Sequence, residues 1–243
     1  MVSFDPVVDE YDAARPGYPD ALFDALGDLN GVRVLEGGAG TGIATRALLA
    51  RGARVVAFDV SAVLLDRARR RSPSLPAVVG DGADLPFRDG CRDLLCFAQS
   101  WHWLRPVTRC VEARRVLASG GRWAGWWSHA RADGERWFDD HWSTLEAACP
   151  GVDRRQRDID WGAELDESGL FVAVERTVVP WTRRISVDDW LVDLSSHSYV
   201  AALDDAARSM LVEQLRRIVL ERFPSGSMEV LYETWVWIAT AGG

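Results

Sequence analysis

Cysteine is scarce in this chain of 243 residues: four, at positions 91, 96, 110 and 149, with no C-x-x-C spacing and nothing like the density of a secreted disulfide scaffold. Neither a thiolate zinc site nor a disulfide frame is expected, and free thiols suit a reducing cytoplasm. Positive charge is the minority sign. The 28 basic residues meet 36 acidic ones for a net charge of -8, so there is no general field for nucleic-acid phosphate. No apolar run reaches the roughly 18 residues of a membrane span, and Met1-Val-Ser-Phe-Asp-Pro lacks the basic and apolar regions of a secretion signal. The expectation is a cytoplasmic protein with no membrane partner. Internal repeats, low-complexity linkers and sustained heptads are also missing, and His129, His141 and His197 are too scattered for a metal cluster. A small-molecule partner is the simpler reading, for a chain that is monomer or homodimer.

Glycine, in contrast, is concentrated where it matters. Val34-Leu35-Glu36-Gly37-Gly38-Ala39-Gly40-Thr41-Gly42-Ile43-Ala44 joins an apolar strand end to a glycine turn that opens a helix. Such a turn lets backbone approach a ligand, with free N–H groups at the helix start. Its spacing fits neither G-x-G-x-x-G nor the phosphate loop G-x-x-x-x-G-K-[ST]. Glu36 adds a carboxylate that repels pyrophosphate but accepts hydrogen bonds from an ammonium or a hydroxyl. Asp59 closes the next predicted strand, 23 residues after Glu36, where a carboxylate would meet ribose hydroxyls. The pattern calls for a positively charged, phosphate-free nucleoside cofactor, with Gly38 and Gly40 as backbone contacts.

Strand and helix alternate through the first half. Leu22, Ala25, Leu26 and Leu29 recur at helical intervals after Pro19. Strands are predicted over 32–36, 54–58, 75–79, 93–98 and 121–127, the last after the Ser119-Gly120-Gly121 turn. Helices are predicted between them over 41–51, 62–71 with Ser61 as N-cap, and 107–117. This order implies an α/β fold with a parallel sheet and right-handed crossovers. Beyond residue 128, Trp137, Phe138, Trp142 and Leu145 return to one face of an amphipathic helix. A helix over 161–168, a strand over 171–179, helices over 187–195 and 203–222 and a strand over 229–239 follow.

Tyr11, Arg15-Pro16-Gly17-Tyr18-Pro19, the glycine turn, Phe58-Asp59-Val60-Ser61, Gly80-Asp81 with Leu85-Pro86-Phe87, Asp93 and Gln99-Ser100-Trp101-His102-Trp103 together resemble the class I S-adenosylmethionine-dependent methyltransferases, in particular the small-molecule group with the methyltransferase type 11 domain. The resemblance is strong over residues 11 to about 128 and weaker after that. Glu36 replaces the more frequent Asp, Ala39 a frequent Cys, and Cys91-Arg92 stands where Ser-Phe is usual, which puts the packing of one strand in question. The resemblance implies a Rossmann-like seven-stranded sheet with helices on both faces, its last two strands an antiparallel hairpin. It also implies a single methyltransferase domain over 1–243, with a flap and first helix over 1–30 and substrate-cover insertions at 128–157 and 185–222. The implied cofactor is S-adenosyl-L-methionine. Asp59 would take the ribose hydroxyls, Glu36 would organise the methionine end, and Asp81 with Gly82 or Ala83 would meet adenine. Val60, Ser61 and Leu64 would border ribose or adenine. Tyr11 and Arg15 would approach the methionine carboxylate, while Gln99 and Ser100 would face the donor end.

The sulfonium makes the methyl group electrophilic, so the protein mainly aligns an acceptor and excludes water. His102, at a parallel-strand end, is the candidate catalytic residue, as a base or as an orienting group. The chain has 12 tryptophans. Trp101, Trp103, Trp127 and Trp137 suit an aromatic or large apolar acceptor, and by resemblance His197 and Tyr199 belong to a segment capping the substrate cavity. The reading is methyl transfer to N or O of a small natural-product-like molecule of secondary metabolism. An NAD-linked oxidoreductase and a non-catalytic cofactor-binding protein are the alternatives.

Overall fold

The predicted alternation is present in the computed structural model, which describes residues 17–82 and 84–242. Helix α1 (Asp20–Ala25) precedes strand β1 (Arg33–Gly37), helix α2 (Ile43–Ala50) and strand β2 (Arg54–Asp59). Ser61 caps α3 (Ala62–Arg71) as expected, its hydroxyl accepting from the Leu64 N–H at 3.3 Å. Strand β3 (Ala77–Val79) is shorter than predicted. Pro76 has no N–H to donate to the ladder, although its carbonyl still accepts from Ala57 at 3.0 Å. Strand β4 (Arg92–Ala98) ends in a 3-10 turn, Trp101–Trp103, that leads into α4 (Pro106–Val116) and β5 (Leu117–Ala130). The Ser119-Gly120-Gly121 turn is absorbed into β5 as an irregularity, because Arg92 pairs with Leu117 but Leu94 with Arg122. Arg92 lies over the Phe87 ring at 5.3 Å, so the unusual start of β4 is packed after all.

Helices α5 (Arg136–Ala148) and α6 (Ala163–Glu167) follow, then β6 (Phe171–Ser186), α7 (Val187–Ser195), α8 (Ser198–Ala201), α9 (Asp205–Arg222) and β7 (Ser227–Ala241). The strands form one sheet in the order β3-β2-β1-β4-β5-β7-β6. Strands β1 to β5 pair in parallel. β7 runs against its neighbours: Ser128 meets Thr234 while Arg131 meets Leu231, and Leu170 bonds Gly242 while Val187 bonds Gly226. Strand β6 continues well past the predicted end at Val179, and its Pro180 is tolerated because β6 is an edge strand.

Two compact units divide these residues. One unit, residues 17–128, 160–179 and 234–243, has an apolar core on each face of its sheet. Period-two alternation sorts Val34, Val55, Leu94 and Trp126 into one core and Leu35, Phe58, Leu95 and Trp127 into the other. The second unit, residues 129–159 and 180–233 among those described, holds α5, α7, α8 and α9 around a core of Trp137, Phe138, Trp190, Leu191, Leu211 and Leu215. Most of the two stretches expected as insertions packs together in this second unit.

His141 lies inside that helical core, 3% exposed. Burial, with repulsion from His197 second, lowers its pKa to about 3. Below the ordinary value near 6.5 an unfolded chain takes up a proton that folded His141 refuses, so stability falls as pH drops from about 6.5 toward 3. His141→Phe is expected to flatten this limb, by about 2 kcal/mol at pH 5 relative to pH 8. Thermal melts of parent and variant at both pH values test this. Equal loss of melting temperature in the two proteins would refute it.

Candidate active site

Strand polarity brings the carboxyl ends of β1, β2 and β4 to one edge of the sheet, and the glycine turn after β1 crosses that edge. Gly38 and Gly40 have φ of +63° and +55°, a region that L side chains avoid. A Cβ on Gly38 would lie 2.4 Å from the Ser100 Cβ, whereas one on Gly40 would meet none of the described residues within 4 Å. Ser100 donates its hydroxyl to the Gly37 carbonyl at 2.6 Å, so it ties β4 to the turn. Asp59 is nine-tenths buried at the end of β2. Its Oδ2 accepts from Gly40 N–H and its Oδ1 from Ser61 N–H, both at 2.9 Å, and each oxygen keeps a lone pair. Burial raises its pKa despite these bonds.

Glu36 is 1% exposed. Its Oε2 accepts the Thr45 hydroxyl at 2.5 Å, and its Oε1 has no partner among the described residues. Burial, opposed by Thr45 and reinforced by the Asp59 charge, pushes its pKa up to about 7. An unpaired buried carboxylate oxygen is costly, and a cationic ligand would remove the cost.

The remaining predicted contacts are spread around this cradle. Val60 is exposed, Ser61 half-buried, and the Leu64 side chain buried. Asp81 is exposed just past β3, and Gly82 is buried against Leu104. Gln99 has a left-handed backbone, φ 54°, uncommon for such a residue. Its N–H donates to the Trp126 carbonyl at 2.9 Å and its amide to the Tyr18 hydroxyl at 3.4 Å. Tyr11, Arg15 and Ala83 lie outside the described residues.

On the acceptor side the tryptophans part company. Trp101 is fully buried, and its indole N–H is bound by Glu164. Trp127, 5% exposed, stacks on Trp161 at 4.8 Å and 14°, and its N–H donates to His102 Nδ1 at 3.4 Å. Neither leaves an aromatic face for substrate, contrary to the expectation, because a large indole on an inward strand or turn position fills the core first. Trp103, 58% exposed, lies beside His102, with ring centroids 4.8 Å apart. Trp137 is likewise a core residue of the helical unit, its N–H bound to Glu135. In the same unit His197 Nδ1 and the Tyr199 hydroxyl are hydrogen-bonded at 2.9 Å.

An indole N–H can only donate, so His102 Nδ1 accepts and its neutral proton sits on Nε2. Part of His102 is open to solvent, yet the surrounding rings desolvate the imidazole and, with Arg109, lower its pKa to about 4. That environment makes it a weak base. Trp161, Arg109, Glu164 and Thr45 escaped the sequence reading. Trp161 and Glu164 meet His102 and Trp101 only through contacts some 60 positions away in sequence, for which periodicity gives no signal.

A family model described as "Methyltransferase domain" matches residues 35–124. An uncharacterized methyltransferase of Mycobacterium tuberculosis is 31% identical over 218 residues, which are 90% of this chain and 86% of the relative. This chain is a class I S-adenosylmethionine-dependent methyltransferase. The fold agrees: a candidate type II methyltransferase from Anaeromyxobacter dehalogenans superposes with a TM-score of 0.70 at 21% identity, over 93% of this chain and 97% of that one. A phosphoethanolamine N-methyltransferase from Haemonchus contortus, in complex with S-adenosyl-L-methionine, gives 0.56 at 16% identity over 100% of this chain and 61% of its own.

The methyltransferase's cofactor is S-adenosyl-L-methionine, and the cradle fits it. Spare lone pairs on Asp59 suit two hydroxyls, the orphan Glu36 oxygen suits a cationic group, and the space beside Gly40 admits a ligand. When bound, the cofactor supplies the electrophilic methyl. Among the described residues no group of three or more His, Cys, Asp or Glu could hold a metal, and no helix is long and apolar enough to cross a membrane.

Proposed function

We propose that this methyltransferase transfers the methyl group to N or O of a small natural-product-like acceptor, with an aromatic or apolar body. The observation that supports this reading most is the exposed Trp103 side chain beside His102, which sets an aromatic ring and a hydrogen-bond donor at one place. The Haemonchus contortus neighbour, by its name, methylates nitrogen of a small molecule. The site residues assigned from resemblance keep their proposed roles: Asp59 with ribose, Glu36 with the methionine end, Asp81 with adenine. His197 and Tyr199 keep the substrate-contact role that the resemblance assigns them. A library of phenols, amines and carboxylates incubated with isotopically labelled methyl donor, read by product mass, tests the reading. Methylation confined to protein or RNA would overturn it.

His102 is proposed to orient the acceptor by donating from Nε2, with little proton removal. His102→Gln, which retains an N–H donor, is then expected to keep most single-turnover rate, and His102→Ala to lose about tenfold. The rate of the parent should show no histidine limb between pH 5 and 8. A limb near pH 6.5 that both variants abolish, together with a loss of 10²–10⁴-fold, would assign the base role instead.

A further inference from the structure

Arg109 belongs to α4 and is only 6% exposed. Its Nη1 donates to the carbonyls of Trp101 at 3.2 Å and Leu104 at 3.4 Å, the two ends of the turn that carries His102. Its Nε donates to Glu164 Oε2 at 3.0 Å, and Nη2 binds the same oxygen. Glu164 Oε1 takes the Trp101 indole N–H. The guanidinium carbon stands 5.2 Å from the Trp101 ring centroid and 5.7 Å from that of Trp161. Trp161 stacks on Trp127, and Trp127 donates to His102 Nδ1. The contacts therefore close on themselves, from Arg109 through the turn to His102, through Trp127 and Trp161, and back to Arg109.

Such a buried ion pair is a poor choice for stability alone, since desolvation offsets most of its attraction. It does supply geometry. A guanidinium fork can hold two carbonyls and a carboxylate at once in fixed directions, which a lysine ammonium on a flexible stem cannot. From the proposed assignment of His102 to the acceptor side, we infer that Arg109 and Glu164 are positioning residues that lock the Trp101–Leu104 turn with His102 presenting its Nε2–H. The acceptor class suited to that arrangement has a reacting oxygen that is already ionised at neutral pH, a carboxylate. Such a group accepts the Nε2–H bond on one lone pair, keeps another for attack on the methyl carbon and needs no proton removed first. The new O–C bond forms as the S–C bond breaks with its electron pair passing to sulfur.

Imidazole ¹⁵N spectra of the full chain, with Arg109→Lys and Glu164→Gln beside the parent, test the lock without a known acceptor. Titration with S-adenosylhomocysteine runs in parallel. The parent is expected to show His102 as the Nε2–H tautomer, with a pKa of about 4. Loosening the turn lets water reach the imidazole, so Arg109→Lys should raise that pKa by about one unit or more, and both variants should speed exchange of the Trp127 indole N–H about tenfold. Affinity for S-adenosylhomocysteine should stay within about threefold. A parent-like His102 titration, tautomer and Trp127 exchange in both variants would overturn the inference, as would an Nδ1–H tautomer in the parent. If Arg109→Lys fails to fold, the isosteric Glu164→Gln decides alone. A parent that does not bind S-adenosylhomocysteine would refute the cofactor assignment, while the His102 spectra of free protein still decide this one.

Discussion

Gly38→Val is expected to abolish measurable cofactor binding, by about a hundredfold or more in dissociation constant. Two costs combine. The backbone at φ +63° penalises any L side chain by roughly 1–2 kcal/mol, and the new Cβ would lie 2.4 Å from Ser100 Cβ and 2.7 Å from its Oγ. Ser100 cannot step aside cheaply, because its hydroxyl is bonded to the Gly37 carbonyl. The turn must shift, and the Gly40 amide held by Asp59 shifts with it. Gly40→Ala is the informative companion. Its Cβ meets no atom of the described residues within 4 Å, so stability should fall only by the roughly 1–2 kcal/mol of backbone strain, while affinity falls further if the cofactor occupies that space. Titration calorimetry with S-adenosylhomocysteine and thermal melts separate the two effects. A parent-like dissociation constant in folded Gly38→Val would remove the turn from the cofactor site.

Asp59→Ala should weaken cofactor binding by about 1–3 kcal/mol, roughly ten- to a hundredfold. The carboxylate holds Gly40 N–H and Ser61 N–H on separate oxygens, so alanine also frees the turn from the start of α3. Asp59→Asn keeps one carbonyl oxygen of similar shape and should lose less. The ranking parent, Asn, Ala is the expected result of a titration at pH 8. If Asn binds as poorly as Ala while its melting temperature matches the parent, both ribose bonds demand the charge. An unchanged constant in Asp59→Ala would reject the ribose role.

The strand and helix alternation, the glycine turn and the positions of Glu36 and Asp59 were legible from sequence because each is encoded locally. Short continuous apolar runs mark β1 and β2, glycines mark a backbone that must turn with positive φ, and Glu36 and Asp59 stand at strand ends whatever the rest of the chain does. Helix 187–195 was likewise read to its ends, since the Ser186 cap and apolar spacing are neighbours in sequence. The long reach of β5, β6 and β7 was not legible. Pro180 and the Ser119-Gly120-Gly121 turn read as strand breakers, and only an edge position and an irregular register accommodate them.

The acceptor side shows the same division more sharply. Residue types alone made Trp101, Trp103, Trp127 and Trp137 equivalent candidates, since any indole can stack on a ligand or fill a core. Packing separated them, leaving Trp103 open and burying the other three. Sequence placed His102 beside the donor end by resemblance, but the side of its ring that carries the proton depends on the Trp127 indole. The environment lowering its pKa depends on Arg109 and the rings gathered from β5 and the segment before α6. Local sequence determined where the glycine turn, Glu36 and Asp59 stand in this methyltransferase. Tertiary structure decided which ring stays exposed and which His102 nitrogen accepts the indole N–H, because burial and hydrogen-bond partnership are properties of neighbours that meet only when the chain has folded.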